Sequence, residues 1–285
     1  MKKPTHKIYR TTNWPAYNRA LMSRGNIAIW FDPATQWYAP SKGKQGRNQT
    51  YSDAAIQCCL MIKSLFRLSL RMVTGFVQSL IKLCGLNWIA PDYTTLCRRQ
   101  KHIDIVISYQ KSSDGLHLLM DSTGMKFLGE GEWKRKKHGP EYRRQWRKLH
   151  IGIDAKTLQI RAVQLTTNNV SDSQVLGDLL NQIPQDERID SVYTDGAYDT
   201  KQCRQVIADR QAHAVIPPRK NGTLWKKWSG YHRRSLVETK MHCIKLLGDK
   251  LSARSFDSQV NEIHARVAVL NRFTELGRPL TQVTP

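Results

Sequence analysis

A short stretch of the sequence, residues 231–245, carries an acid, a phenol and two cations at a helical spacing. They are Tyr231, Arg234, Glu238 and Lys245, at offsets of 0, 3, 7 and 14 from the first. With roughly 100° between successive residues of a helix, all four fall within a stripe about 60° wide. A carboxylate binds metal ions, and guanidinium and ammonium groups bind phosphate oxygens. The stripe therefore predicts a surface that holds a metal ion beside a phosphodiester.

Two aspartates upstream, each at the end of an apolar strand-like segment, extend this set of acids. Asp121 lies in LLMDSTG and Asp195 lies in YTDGAYD. Mg²⁺ prefers hard oxygen ligands and keeps several of its waters, so a few carboxylates suffice to bind it. Two such ions activate a water or a 3′-hydroxyl and stabilise the leaving oxygen in an in-line displacement. The three acids indicate metal-dependent chemistry on nucleic acid.

Each acid also has an ordinary structural explanation when it is considered alone. Asp121 could cap a turn, and Asp195 precedes a glycine in a turn-like sequence. Glu238 could pair with Arg234 or Lys245 on an exposed helix face. Crowded carboxylates raise one another's pKa unless a cation neutralises them. Three acids that converge within a basic protein therefore favour a metal site over three separate structural roles.

The order of strand and helix signals from residue 115 onward predicts an α/β fold. Three consecutive strands are followed by helix, strand, helix, strand and two helices, at 117–122, 148–154, 159–167, 172–183, 190–195, 199–210, 213–218, 231–247 and 257–276. An antiparallel meander that leads into parallel strands is the ribonuclease H-like arrangement, a mixed sheet flanked by helices. The first and fourth strands are neighbours in it, so we expect Asp121 and Asp195 side by side. Glu238 would approach from a helix packed on that edge through Val237 and Met241.

The region before residue 115 has a different, mostly helical character. A helix that Ser52 or Asp53 could cap, a second helix over 70–83 and a polar helix from Asp92 predict a helix-turn-helix-like fold. We expect Arg98 and Arg99 at its basic end to contact DNA, although an ordinary helical bundle with a solvated basic end fits the same pattern. The predicted organisation is a basic DNA-binding region at 1–110, a ribonuclease H-like catalytic domain at 115–276 and a tail at 277–285.

The charge of the chain points to a polyanionic partner. Forty-five Lys and Arg face twenty-three Asp and Glu, for a net charge of +22. Such a field binds nucleic acid through counterion release, although ribosomal and membrane-surface proteins are also basic. The six cysteines form no CxxC pair, and no signal peptide or membrane span is visible. We expect a soluble protein of the cytoplasm, not associated with a membrane.

A second basic segment lies between the first two predicted strands, at 133–148. It would form a long loop or hairpin beside Asp121, with Trp133, Tyr142 and Trp146 between its cations. A DNA clamp, with cations on phosphates and rings on exposed bases, is one interpretation; a solvated loop with locally packed rings is the other. The candidate DNA-binding cations are Lys134, Arg135, Lys136, Lys137, Arg143, Arg144, Arg147 and Lys148.

Four further residues can be explained by ordinary structural roles. Trp225 and Trp228, just before the 231–245 stretch, could stack on a displaced base or cover the edge of the core. Asp172 or Ser171 is expected to cap the helix that begins there, with Asp172 as the default choice. His150 is expected to be structural, because Mg²⁺ rarely selects imidazole.

The motifs resemble those of bacterial insertion-sequence transposases of the DDE class, most of all the insertion-sequence-five family and its short single-gene members. The signature of that family around its third acid is Tyr, two residues, Arg, three residues, Glu, six residues, Lys, and this sequence matches all four positions. The contexts DSTG at Asp121 and DGAYD at Asp195 match as well. The resemblance runs from residue 13 to the C-terminal helix.

The resemblance implies a mechanism and partners. Asp121, Asp195 and Glu238 would hold two Mg²⁺ ions, with Mn²⁺ as a substitute, to cut DNA at the terminal inverted repeats and transfer the freed 3′-hydroxyl to target DNA. Tyr231, Arg234 and Lys245 would contact phosphates near the cleaved end. The expected partners are double-stranded DNA and further copies of the chain, as a homodimer or higher assembly. A catalytically silent DNA-binding repressor, or a ribonuclease H-like nuclease without strand transfer, is the alternative.

Overall fold

The computed structural model describes residues 8–41, 43, 48–111, 114–129, 131–139, 145–217, 229 and 231–284. The predicted roles of Arg143 and Arg144, and of the rings of Tyr142, Trp225 and Trp228, fall on residues outside these ranges. Within them lie all three acids and the remaining basic residues that the sequence singles out.

The strands and helices predicted after residue 115 occur in the predicted order, together with further elements that the sequence pattern did not predict. The strands are β1 (Ile8–Thr11), β2 (Leu116–Phe127), β3 (Arg147–Asp154), β4 (Ile160–Thr167), β5 (Ile189–Tyr193), β6 (His213–Val215), β7 (Lys250–Leu251) and β8 (Thr281–Thr284). The α-helices are α1 (Trp14–Arg24), α2 (Asp53–Phe66), α3 (Leu70–Leu83), α4 (Tyr93–His102), α5 (Glu132–His138), α6 (Asp172–Asn181), α7 (Lys201–Asp209), α8 (Ser235–Leu246) and α9 (Phe256–Leu276).

The central sheet has the strand order β4-β3-β2-β5-β6, with β7 paired to the far end of β2. Strands β2, β3 and β4 form the antiparallel meander, and β5 and β6 join it in parallel. Helices α6 and α7 cover one face of the sheet, and α8 and α9 cover the other. This topology is the ribonuclease H-like arrangement, and it confirms the predicted fold class.

Strand β2 is longer than the sequence pattern suggested, so Asp121 lies within the strand and not at its end. Antiparallel pairing with β3 continues as far as Met125, opposite Arg147, and β7 pairs with the last two residues. On the other side the parallel partner stops earlier, since the last pair between β2 and β5 is Leu119 with Tyr193. Asp121 therefore lies beyond the end of β5 on an edge that its neighbour leaves open.

Alternation along β2 separates the two layers of the core. Leu118 and Met120 face α6 and α7, whereas Leu119 and Met125 face α8 and α9, as the two-residue period of a strand requires. Because Asp121 shares the face of Leu119, it points toward α8. The register of the strand thus decides which helix can bring a third acid to it.

The helices before residue 103 build their own core around the buried side chains of Ile56, Leu60, Val77 and Leu96. Helix α2 is capped as predicted, since the Ser52 hydroxyl accepts a hydrogen bond from the Ala55 amide. The connection from α3 to α4 runs from 84 to 92, which is longer than the roughly three- or four-residue turn of a helix-turn-helix. The predicted DNA-reading geometry therefore differs from the common form of that motif.

Helix α9 belongs to both halves of the chain. Its Ala265 and Ala268 complete the core of the N-terminal helices, while its Ile263 and Val267 pack beneath the sheet. Buried Glu262 of the same helix lies 3.5 Å from Lys63 Nζ on α2. Both hydrophobic cores thus meet on a single helix.

The two ends of the chain also meet. Strand β1 pairs antiparallel with β8, which places residues 281–284, expected as part of a tail, in a two-stranded sheet. Arg24 on α1 donates to the carbonyl oxygens of Phe273 and Gly277. Across the described ranges, no helix is both long and apolar enough to span a bilayer.

Candidate active site

The guanidinium of Arg234 contacts the side chains of all three candidate acids. Its Nη2 atom donates to Asp121 Oδ2 at 2.7 Å and lies 3.8 Å from Asp195 Oδ2. Its Nη1 atom donates to Glu238 Oε1 at 2.9 Å. Because Nη2 is common to both aspartate distances, the two aspartate oxygens lie no farther apart than the sum of those distances. The fold thus brings together three acids that lie far apart in the sequence.

The positions of the two aspartates follow from one strand register. Leu119 of β2 pairs with Tyr193 of β5, and each aspartate stands two residues beyond its paired residue. Past that pair the chain leaves the sheet at Asp195, which begins a 3₁₀ turn over Gly196–Tyr198. Asp195 Oδ1 accepts a hydrogen bond from the amide of Ala197 at 2.9 Å, so the side chain caps that turn. The turn interpretation of Asp195 and its place among the acids are both correct.

Glu238 is carried by α8, which is fixed by its apolar face. Val237, Met241 and Ile244 are buried against the sheet, as their spacing predicts. Glu238 lies on the adjacent face with its side chain 57% exposed, compared with 10% for Asp121. The site therefore has one deeply set acid and one near solvent.

The helical stripe from the sequence is present only in part. Tyr231 and Arg234 lie in a 3₁₀ turn over Tyr231–Arg234, and the α-helix begins at Ser235. The 3₁₀ turn has a tighter winding than an α-helix. Arg234 nevertheless reaches Glu238, four residues on, and its guanidinium lies 6.0 Å from the ring centroid of Tyr231.

Burial and charge act in opposite directions on the acids and their cation. Burial raises the pKa of Asp121, and the Arg234 charge and the Ser122 amide offset that rise only in part. For Arg234, burial acts to lower the pKa, but the contact with Asp121 outweighs it and the pKa is raised. Burial also raises the pKa of Tyr231, and the three acids add to that rise. Arg234 is therefore a firmly held cation among the acids.

The donor set suits a hard divalent ion, although its present arrangement is not a chelate. Among the residues that the structure describes, no three His, Cys, Asp or Glu side chains are close enough to hold a metal ion. The Arg234 guanidinium lies among the three carboxylates. Carboxylate oxygens are the ligands of Mg²⁺, and the guanidinium shows that a positive charge is stable at this position. The residues fit a divalent cation that would exchange with Arg234.

Lys245, the last member of the signature, lies beside β2. Its ammonium donates to the Thr123 hydroxyl at 2.8 Å, two residues beyond Asp121 on the same face of the strand. Both cations of the signature therefore reach β2 around Asp121. A phosphate oxygen would compete for the same two donors.

The basic segment at 133–148 is not the continuous loop that we expected. Helix α5 spans Glu132–His138 and carries Lys134, Arg135, Lys136 and Lys137, because a left-handed Gly131 starts it and Gly139 ends it. Lys137 lies over the ring of Trp133 at 4.7 Å, and Lys136 lies 3.6 Å from Glu132. Some of these contacts are local, yet all four cations remain exposed.

The two cations that begin β3 make contacts within the protein. Arg147 donates to Gln259 Oε1 at 2.8 Å and lies over the rings of Phe127 and Phe256. Lys148 lies 2.9 Å from Asp172 Oδ1. Both side chains have a structural role whether or not they also contact DNA.

The two arginines of α4 differ in their exposure and contacts. Arg98 is exposed. Arg99 donates to the backbone oxygen of Tyr51 at 2.8 Å and pairs with Asp53, which ties α4 to the start of α2. Arg98 is the arginine that this helix presents to solvent.

Two residues near the site carry more than the sequence suggested. Ser171 caps α6 through a capping box with Gln174. Asp172 does not cap the helix, and its carboxylate instead contacts Lys148 and His150. Tyr198, the tyrosine of DGAYD, is fully buried in the core layer of α6 and α7. No spacing rule singles out either residue, because their neighbours come from other strands.

Comparisons with known proteins show the family to which the chain belongs. Two family models, each described as a transposase DDE domain, match residues 22–130 and 112–272. A chain of the simian T-cell lymphotropic virus intasome in complex with PP2A regulatory subunit B56 gamma is 16% identical, with a TM-score of 0.32 over 62% of this chain and 59% of that chain.

Two transposase structures are similar at comparable levels. The Drosophila P element transposase strand transfer complex is 13% identical, with a TM-score of 0.32 over 61% of this chain and 43% of that chain. The Mos1 strand transfer complex is 11% identical, with a TM-score of 0.31 over 83% of this chain and 79% of that chain. The chain spans less than two thirds of the first two structures that it matches. Since the family model over 112–272 covers more than half of the chain and all three acids, the chain belongs to the DDE-domain transposases.

Proposed function

We propose that this protein binds the terminal inverted repeats of an insertion sequence, cleaves the DNA there with Mg²⁺ and transfers the 3′-hydroxyl to target DNA. The observation that carries the proposal is the convergence of Asp121, Asp195 and Glu238 on one guanidinium. A set of acids around one cation at the open edge of a mixed sheet suits phosphodiester chemistry. Membership of the DDE-domain transposases supports the same reaction.

Asp121, Asp195 and Glu238 would hold the divalent ions. When bound there, such ions supply Lewis acidity that activates the attacking oxygen and stabilises the leaving one. Burial raises the pKa of Asp121, and Arg234 and the amide of Ser122 offset part of that rise. Glu238, the most exposed of the three, can adjust to the substrate at the rim.

The cations of the signature would orient the DNA. Once a divalent ion has taken its place among the acids, Arg234 would present a planar pair of donors suited to a phosphate. Lys245 can exchange the Thr123 hydroxyl for a phosphate oxygen beside Asp121. Tyr231 lies next to Arg234 and close to the acids, where its phenol can contact the same strand. These side chains would position a phosphodiester over the deeply set Asp121.

The charge of the whole chain supports double-stranded DNA as the partner. The net charge is +22, and the exposed cations of α5 extend the basic surface beyond the signature. Transposition joins two ends, so we expect a homodimer or a higher assembly on DNA.

The test is end cleavage and strand transfer by the full chain on DNA that carries the element's ends. Asp121→Asn, Asp195→Asn and Glu238→Gln should each abolish both products in Mg²⁺ while end binding persists. Asp199→Asn is the matched control, because Asp199 lies in the same motif but pairs with Arg204 at 2.8 Å. Full activity in any acid variant would refute the assignment.

The same experiment separates the alternatives. A repressor would bind the ends without a Mg²⁺-dependent nick in the wild-type protein. A nuclease would nick the DNA without forming a joined product of donor and target. Only a transposase gives both a nick at the end and the joined product.

A further inference from the structure

A cavity of about 370 Å³ lies where α1, α8 and α9 meet. Its walls are mostly apolar, and they include Leu236, Leu246, Leu247, Leu270 and Phe273. Leu236 and Leu246 remain exposed to solvent, so the apolar wall extends to the mouth of the cavity. A concave, mostly apolar space of this size is typical of a site for a small molecule.

The cavity is separate from the three acids. Lys240 and Cys243 of α8 line it. With roughly 100° between successive residues of a helix, these two residues stand about 160° and about 140° from Glu238 around the helix axis. Helix α8 therefore turns one face toward the candidate active site and the opposite face toward the cavity.

Three cations line the cavity at the C-terminal end of α9, namely Arg24, Lys240 and Arg278. The ammonium of Lys240 donates to the Thr274 hydroxyl at 3.0 Å. Arg24 Nη2 donates to the backbone oxygen of Gly277 at 3.0 Å, and Arg278 follows that glycine directly. The same few residues of α9 thus gather all three positive charges.

These cations have no carboxylate beside them. Across the described ranges, no Asp or Glu forms an ion pair with Arg24, Lys240 or Arg278, and none lines the cavity. Burial lowers the pKa of Lys240 to about 8, and the charges of Arg24 and Arg278 act in the same direction. Positive charges that oppose one another beside apolar walls favour the binding of an anion.

Arg24 adds a donor without an acceptor. Its Nε atom is buried and has no hydrogen-bond partner among the residues that the structure describes. The carbonyl groups at the end of a helix attract cations, which explains the contact of Nη2 with Gly277. That attraction leaves Nε unsatisfied, and a buried donor without an acceptor carries a desolvation penalty.

We propose that this cavity binds a small amphipathic carboxylate, with its acid group among Arg24, Lys240 and Arg278 and its apolar group among the leucines. The carboxylate would replace the Thr274 hydroxyl on Lys240 and supply an acceptor for Arg24. Hydrogen bonds between charged partners are stronger than the neutral contacts that they would replace. A single charge suits the site, because the cost of burying an anion rises with its charge.

The test is calorimetric titration of octanoate into the full chain at pH 7, without metal or DNA. Acetate has the acid group without the apolar group, and octan-1-ol has the apolar group without the charge. We expect octanoate to bind at least about tenfold more tightly than either compound. Equal binding of octan-1-ol and octanoate would overturn the role of the cations, and absence of octanoate binding would overturn the site.

Variants locate the binding. Lys240→Met and Arg278→Gln should each weaken octanoate binding by about tenfold, because each removes a charged partner of the carboxylate. Lys240→Met should keep or raise Tm without ligand, since it removes a charge from apolar surroundings. If it fails to fold, the half-buried Arg278 provides the second variant.

Lys201→Met is the matched control, because Lys201 is exposed at the start of α7 and distant from the cavity. It should bind octanoate as the wild-type protein does. An equal loss of affinity in Lys201→Met and Lys240→Met would show that octanoate responds to net charge, and would overturn the proposal. The acids take no part in this site, so its failure would leave the proposed function untouched.

Discussion

Arg234 Nη2 donates a hydrogen bond to Asp121 Oδ2 at 2.7 Å, across 113 positions of sequence. Side-chain exposures of 18% and 10% place this pair largely out of solvent. Because the same guanidinium also contacts the other two acids, it serves as an internal counter-cation for the site. A metal ion that binds the acids must therefore compete with Arg234.

Replacing Arg234 with glutamine should lower the stability of the metal-free protein and raise its affinity for a divalent metal ion. Three acids would face one another without a cation, so we expect a loss of stability on the order of 1–3 kcal/mol. Mn²⁺ affinity should rise by about tenfold, since no ion pair must be broken first. Thermal unfolding with and without Mn²⁺, together with calorimetric titration, measures both effects.

Arg233→Gln is the control for Arg234→Gln, because the neighbouring Arg233 is exposed. It should change neither Tm nor Mn²⁺ affinity. Weaker Mn²⁺ binding by Arg234→Gln would contradict the idea that the guanidinium and the metal exclude each other.

The meeting of the acids could be predicted because it depends on strand order and register. The sequence pattern identifies the meander, the parallel strands and the apolar face of α8, and these elements place Asp121, Asp195 and Glu238 together. The contact of Arg234 with all three acids could not be predicted. The spacing of Arg234 and Glu238 shows only a local pair, whereas the reach to Asp121 depends on how α8 packs on the sheet.

A pH-dependent part of the stability should come from Asp172. Its pKa in the folded protein lies below the unfolded value of 3.8, so this stabilisation is present above that pH and is lost as the pH falls below it. At pH 7 we expect Asp172→Asn to cost on the order of 1–3 kcal/mol. The difference from wild type should shrink between pH 5 and pH 3, over roughly the range in which the unfolded aspartate gains its proton.

Denaturant unfolding at several pH values measures that difference. Asp178→Asn on the same helix is the control, because Asp178 is exposed and its contact is with Gln164. A gap between wild type and Asp172→Asn that stays constant down to pH 3 would contradict the depressed pKa.

A buried ionic cluster should connect the N-terminal helices to α9. Glu262 accepts hydrogen bonds from Ser252 and lies 2.7 Å from Arg266 and 3.5 Å from Lys63. Glu262→Gln would leave two buried cations without their anion, so we expect a loss of about 3–5 kcal/mol. Glu275→Gln, which alters an exposed pair on the same helix, should cost less than about 1 kcal/mol.

Urea unfolding of both variants measures these losses of stability. Equal stability of Glu262→Gln and the wild-type protein would show that α2 and α9 do not depend on this cluster.

Lys245 should contribute to DNA binding and little to stability. The ammonium of half-buried Lys245 donates to the Thr123 hydroxyl at 2.8 Å, and a phosphate oxygen can replace that hydroxyl as the acceptor. We expect Lys245→Ala to weaken end binding and to reduce the slope of log K against log salt concentration by about 1. Tm should change little.

Lys201→Ala is the matched control for Lys245→Ala, because Lys201 is exposed at the start of α7 on the opposite side of the sheet. Fluorescence anisotropy at several salt concentrations measures DNA binding by both variants. An equal loss of slope in the two variants would mean that the binding is a property of net charge and not of the signature.

The parts of the site that escaped prediction have a common physical cause. Ser171 and Asp172 both suit a helix N-terminus, and only the folded position of Lys148 and His150 decides which one caps α6. Helix α5 likewise depends on the left-handed conformation of Gly131 and the turn at Gly139 within a strongly basic run. Such choices are made by tertiary contacts and not by local pattern.

Calorimetric titration of Mn²⁺ into the full chain, without DNA, tests the central claim most directly. The wild-type protein should bind Mn²⁺, and Asp121→Asn, Asp195→Asn and Glu238→Gln should each bind it at least about tenfold more weakly, because each loses a carboxylate ligand. Asp199→Asn should bind as the wild type does. Wild-type affinity in all three acid variants would contradict the claim that these acids form one metal site.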